Sequence, residues 1–177
     1  MPDRLAVLGA ARDEALRTIA TADPRAKAFG AWVDDVTAQG VARGSSQVAG
    51  YLDAPLVRYA AQNGTIASDW PILVEDRLLV GPKAGRHTAA GDALTAGQWA
   101  DLPVMLAQAR AVLWGRNSKL VFVYDYPGDP SKRIRIVVAI ADQRKRGGVR
   151  NAIDSASIVP ASSLRDTNLF TLIRGLI

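Results

Sequence analysis

His87 is the only histidine of the 177-residue chain, and histidine is the side chain best suited to exchange protons near neutrality. Arg86 precedes it and Lys83 lies one helical turn before it, so cations would surround a candidate proton acceptor. A surface or hydrogen-bonded structural histidine is the competing reading. A second cluster follows at Lys132, Arg133 and Arg135. In a strand, Arg133 and Arg135 point to the face opposite Ile134, Ile136, Val138 and Ile140. Two guanidinium groups on an open sheet face can clamp a phosphate and stabilise charge that builds on it; they can equally be the solvated side of any sheet. Asn151, Ser155 and Ser157 recur at a period of two and are expected to share one face, where small polar groups could orient a phosphate or a base.

Other chemistries lack their residues. There is no cysteine, which excludes disulfides, thiol catalysis and thiolate metal sites. A single histidine rules out a multi-histidine metal centre. Asp125, Asp129, Asp142 and Asp154 show no paired spacing, so metal-assisted hydrolysis is not expected. Only Glu14 and Glu75 are glutamates, leaving no glutamate base in the C-terminal half. Neither a phosphate-binding loop nor a dinucleotide fingerprint is present.

The net charge is +5, from 22 basic and 17 acidic side chains, but it is unevenly spread. Residues 110–150 carry ten basic side chains against the acids Asp125, Asp129 and Asp142, while the rest of the chain is slightly acidic. Arg144, Lys145, Arg146 and Arg150 fall in a Gly-containing loop that would attract phosphate with little selectivity. Together with Lys83 and Arg86 they form the expected nucleic-acid-binding set. No apolar run approaches the roughly 20 residues needed to span a bilayer, so no membrane partner is expected. The N-terminal apolar stretch is too short for a signal peptide.

These residues need elements to hold them. Helices are expected over 3–21, from Asp23-Pro24 to about Gly40, and from Asp53 to Asn63-Gly64. Asp76 could cap a helix through Leu78, Leu79 and Val80, which Gly81-Pro82 interrupts, or Pro82 could instead open one that carries Lys83, Arg86 and His87. Thr95 and Gln98 form a capping box, and Pro103 starts a helix through Leu106. After residue 110 the period changes from 3.6 to 2, giving strands near 112–114, 119–126, 132–141 and 151–159. Phe122, Tyr124 and Tyr126 share a face with Leu120, so burial against the helices is favoured over base stacking. The expected fold class is α+β: N-terminal helices followed by a small antiparallel four-stranded sheet. The expected division is a helical region over 1–68 and an α+β domain over 69–177.

From about Ser46 onward, the runs GYLDAPLVRYAAQNG, ILVEDRLLVGPKAGRH, AAGDALTAGQWADLPVMLAQARAVLW, KLVFVYDY, KRIRIVVAIA and RNAIDSASIV resemble a phage-borne domain. That domain occurs near the C-terminus of Mu-like head-morphogenesis and minor-head proteins and is grouped with the Barnase–EndoU–colicin–RelE-like nucleases. Its most specific parts here are the Arg86-His87 pair before Gly91-Asp92-Ala93-Leu94-Thr95, the Leu102-Pro103 turn, and Asn151. The resemblance implies a metal-independent, cofactor-free ribonuclease of toxin type, acting through the RNA 2′-hydroxyl. It implies RNA as substrate, phage head proteins and an immunity or antitoxin protein as partners, and a place in the virion or host cytoplasm. Carried over, His87 is the acid or base, Lys132, Arg133 or Arg135 stabilise the phosphate, and Asn151 and Ser155 orient it. The chain departs from the family pattern in having no second histidine and no C-terminal glutamate. A non-catalytic head module that binds nucleic acid or structural partners through the same basic sheet is the alternative.

Overall fold

The computed structural model describes residues 22–67, 70–144 and 148–177; the helix expected over 3–21, and Lys145 and Arg146, lie outside them. Helix α1 (Pro24–Gln39) starts where the Asp23 carboxylate accepts a hydrogen bond from Arg25 N and Pro24 takes the first turn. It buries Phe29, Val33 and Val36. Strand β1 (Ser46–Tyr51) leads to α2 (Ala54–Gln62), capped by Asp53. Then come β2 (Pro71–Glu75), α3 (Arg77–Val80), α4 (Pro82–Ala90), α5 (Ala96–Ala100) and α6 (Leu102–Ala107). The Thr95–Gln98 capping box forms as expected. Strands β3 (Ala111–Gly115), β4 (Lys119–Asp125), β5 (Lys132–Arg144) and β6 (Gly148–Pro160) follow, then a short 3-10 turn (Ala161–Arg165) and β7 (Phe170–Gly175).

The expectation of a small four-stranded antiparallel sheet is wrong. The α+β fold holds a seven-stranded mixed sheet in the order β1-β2-β6-β5-β4-β3-β7. The four expected strands form its centre, and three more extend it. β2 runs parallel to β6 and pairs with it at Ile72–Asn151 and Leu73–Ala152; the other neighbours are antiparallel. The physical reason lies in short, weakly alternating segments. β1 has one buried side chain, Ala49, and β2 has five residues. Neither announces its partner locally, and a parallel pair is joined only through a long crossover, here α3 to β5. Strand β1 also precedes the expected start of the sheet-forming region.

The helices cover one face. Leu120, Phe122, Tyr124, Ile134, Ile136, Val138 and Ile153 pack there against Phe29, Leu56 and Leu102. Phe122 and Tyr124 are therefore core residues. On the opposite face Ala111, Leu113, Val121, Val123 and Val137 form a smaller cluster closed by Leu164 and flanked by Phe170. The rest of that second face is polar and carries the candidate site. No helix among the described residues is long and apolar enough to cross a membrane.

Candidate functional site

Because β2 pairs with β6 only near its start, the later edge of β6 is left for α4 and the turn after it. Lys83 and His87 lie four residues apart and so share one face of α4. Gly91 ends the helix with φ 71°, a left-handed cap that glycine adopts without steric cost. The chain folds back there: Asp92 N donates to His87 O at 3.1 Å, and Asp92 O accepts from Ile158 N of β6 at 2.8 Å. The Asp92 carboxylate lies 2.8 Å from His87 Nδ1. A carboxylate accepts, so Nδ1 carries the hydrogen and Nε2 is left as the acceptor nitrogen.

The charge of Asp92 also reaches Arg135. Burial pulls the Arg135 guanidinium below its ordinary value, and the negative charge of Asp92 pulls it part of the way back. Arg135 Nη2 donates to the fully buried Ser157 Oγ at 3.1 Å, its cross-strand partner. Its Nε is buried without a partner among the described residues. Nearby, β6 bulges at Asp154, because Val137 pairs with Ser155 and Val138 with Ile153. Lys119 Nζ lies 2.8 Å from Asp154 Oδ2, and Lys83 Nζ donates to the Asp154 carbonyl and lies 3.8 Å from Oδ1. Lys119 and Arg135 line a cavity of about 230 Å³ on this face. The arrangement thus combines an oriented imidazole with three cations, suited to proton transfer beside an anionic centre.

The bulge also divides residues expected together. Ser155 and Ser157 face the site with Val137 and Arg135, but Asn151 lies before the extra residue and does not share their face. It is completely buried; its Oδ1 accepts from Ala141 N at 3.1 Å and its Nδ2 donates to Pro71 O at 3.3 Å. Asn151 therefore ties β2, β5 and β6 together, at the point where Ala141 takes a positive φ of 51°. Arg133 is buried, and its Nη1 donates to Pro130 O and Lys132 O at 2.8 and 2.7 Å. It clasps the β4–β5 turn and does not share in the cluster. Lys132 is exposed, 3.5 Å from Asp129 and above the Tyr126 ring. Arg150 pairs with Glu75 near the start of β6, and Arg86 is exposed on α4. Arg144 is described in its backbone alone, so its side chain, with Lys145 and Arg146, lies outside the description.

Of the expected residues, the fold brings together His87, Lys83, Arg135 and Ser155. It adds Asp92, Lys119, Asp154 and the partnered Ser157. Asp92 was signalled by the glycine stop one turn beyond His87, and Lys119 by its alternation with Val121 and Val123; the bulge at Asp154 left no such mark. Among the described residues no group of three or more histidine and acidic side chains could hold a metal ion. No family model matches the chain, and no curated protein or solved structure matches it. The nuclease resemblance therefore rests on the motifs quoted above.

Proposed function

We propose that the protein is a metal-independent endoribonuclease-like domain of the toxin type found with phage head proteins, cleaving RNA through its 2′-hydroxyl. The observation that carries this reading is the His87–Asp92 bond at 2.8 Å, with the charge of Asp92 acting on the Arg135 guanidinium. In the proposed reaction His87 Nε2 removes the 2′-hydroxyl proton. The 2′-oxygen attacks phosphorus and the bond from phosphorus to the 5′-oxygen breaks, leaving a 2′,3′-cyclic phosphate. Arg135 and Lys83 meet the charge that builds on the phosphoryl oxygens. With no second histidine in the chain, the reading gives the Lys119 ammonium the task of protonating the departing 5′-oxygen. Asp154 supports that role by holding Lys119 and Lys83 on either side of the β6 bulge.

The test is incubation of the purified protein with tRNA and total RNA in EDTA, beside His87→Ala. Cleavage that survives EDTA and is lost in the variant supports the proposal. Tight, salt-sensitive RNA binding without cleavage at any protein concentration replaces it with the non-catalytic nucleic-acid-binding head module. Cleavage abolished by EDTA replaces it with a metal-dependent nuclease.

A further inference from the structure

We propose that the surface beside the cationic cluster is a nucleobase subsite, with Phe170 as the stacking platform and the Asn117 amide reading the base edge. The proposal rests on the reading of the cluster as a phosphate site and extends it to the flanking nucleoside.

Two cavities share residues at this place. The first, of about 230 Å³, is the one lined by Lys119 and Arg135. The second, of about 430 Å³, lies on the helix side of the β3–β4 hairpin and is lined by Asn63, Trp114 and Ser118 among others. Phe170, Arg116 and Asn117 border both, and the first cavity by itself sets Phe170 and Asn117 beside Lys119 and Arg135. A phosphate beside Lys119 and Arg135 has Phe170 and Asn117 within the same cavity, where its nucleoside would lie.

Phe170 is held for such a role. Its ring crosses Gly115: a Cβ placed on that glycine would lie 3.6 Å from Phe170 Cε1. The ring thus rests on bare backbone while also bordering both cavities. It is half-buried at the rim of the Val121–Val137 cluster. An aromatic ring supported by backbone and bordering a cavity suits base stacking, which tolerates every base because each has a π-face.

The hairpin tip that carries Asn117 is equally fixed. Asn117 and Ser118 have φ values of 57° and 56°, a conformation most side chains avoid and one that persists where the surroundings enforce it. The surroundings are on hand. Ser118 O accepts from Ile140 N at 3.0 Å, and Ser118 Oγ bonds Thr65 Oγ1. Arg116 reaches across to Asn168 O at 3.4 Å and so joins the hairpin to the segment before β7. An amide both donates and accepts, which matches the mixed edge of a nucleobase, and the exposed Asn117 lines the cavity beside Lys119 and Arg135.

The experiment compares inorganic phosphate, ribose 5-phosphate and the four nucleoside 3′-monophosphates by calorimetric titration against the full chain. The nucleotides are expected to bind about tenfold to a hundredfold tighter than the two base-free probes, the range that base–aromatic stacking supports. Phe170→Leu keeps an apolar side chain at the cluster rim and should remove most of that advantage while phosphate affinity stays. Asn117→Gly suits the positive φ, so the turn survives, and it should reduce the differences between the four bases. Equal affinity for nucleotides and base-free probes, or an advantage unchanged in both variants, overturns the subsite. Should nucleotides bind by their bases while RNA stays intact, the subsite stands and the cleavage reading falls; should RNA be cut with no base advantage, the reverse holds.

Discussion

His87 Nδ1 and the Asp92 carboxylate are 2.8 Å apart, joined across the glycine that stops helix α4. The pair is built locally, within six residues, yet the Asp92 backbone is also tied to Ile158 of β6. One acidic residue thus sets the tautomer of the imidazole, bears on the charge of Arg135, and fixes the α4 turn to the sheet edge.

Asp92→Asn tests the first of these roles. The amide can still accept from Nδ1–H through its oxygen, but it no longer supplies charge to the imidazolium that forms during proton transfer. General acid–base groups contribute about 10²- to 10⁴-fold. The expected result is a loss of kcat at the lower end of that range with little change in KM, read in single-turnover RNA cleavage. A change in KM alone would assign Asp92 to binding.

Ser157→Ala leaves Arg135 without its 3.1 Å acceptor in a place where its Nε is already buried and unpartnered. Hydrogen bonds to charged groups contribute about 1.5–3 kcal/mol, so a loss in the lower part of that range is expected in urea denaturation. An unchanged midpoint would show that the guanidinium finds another acceptor.

Asp76 makes the fold sensitive to acid. Burial acts to raise its pKa, but hydrogen bonds from Ser45 N, Arg43 N and Ser45 Oγ outweigh burial and hold the carboxyl below its ordinary value. A folded-state pKa below the unfolded one gives stability that is present above the unfolded value, near 3.8, and is lost as pH falls through the folded one. Asp76→Asn should therefore lower the stability of the β1 end at neutral pH and flatten the acid limb of the stability curve. Parallel acid limbs for the two proteins would remove Asp76 from that account.

Tyr124 acts at the other end of the pH scale. Its hydroxyl is buried with no partner among the described residues, and burial pushes its pKa well above the ordinary tyrosine value of 10, opposed by the charge of Arg174. The folded state therefore holds this proton more tightly, and stability falls once pH rises past the unfolded value. Tyr124→Phe removes a desolvated hydroxyl that gains nothing in return. It should be neutral or stabilising at pH 7 and should move alkaline unfolding to higher pH. A loss of more than about 1 kcal/mol at pH 7 would mean that the hydroxyl has a partner.

The helices were legible because their punctuation is local: Asp23-Pro24, Asp53, and the Thr95–Gln98 box each decide a start within four residues. The four central strands were legible because Ile134, Ile136, Val138 and Ile140 alternate. The edges of the sheet were not. β1 and β2 are too short to alternate convincingly, and the parallel β2–β6 pair depends on chain more than seventy residues apart. The site was half legible for the same reason. Lys83, His87 and Arg135 follow from period and charge, whereas one extra residue at Asp154 reverses the parity of β6 and sends Asn151 into the core. The strand alternation placed Arg133 on the right face, but not in the turn whose carbonyls it clasps.

That reassignment makes a distinct forecast for Asn151→Ala. The variant loses the bonds to Ala141 N and Pro71 O and leaves these part-buried groups to find other partners. A loss of about 1–3 kcal/mol is expected for such groups, with cleavage per folded molecule unchanged. Intact stability with lost cleavage would return Asn151 to the site.

The most direct test of the central claim is analysis of the RNA ends produced in EDTA by the wild-type chain, His87→Ala and Arg135→Met. The account predicts 2′,3′-cyclic phosphate ends from the wild type, a fall of about 10²-fold or more for His87→Ala, and a comparable fall for Arg135→Met. Intact RNA in all three reactions, or cleavage by His87→Ala at the wild-type rate, would contradict it.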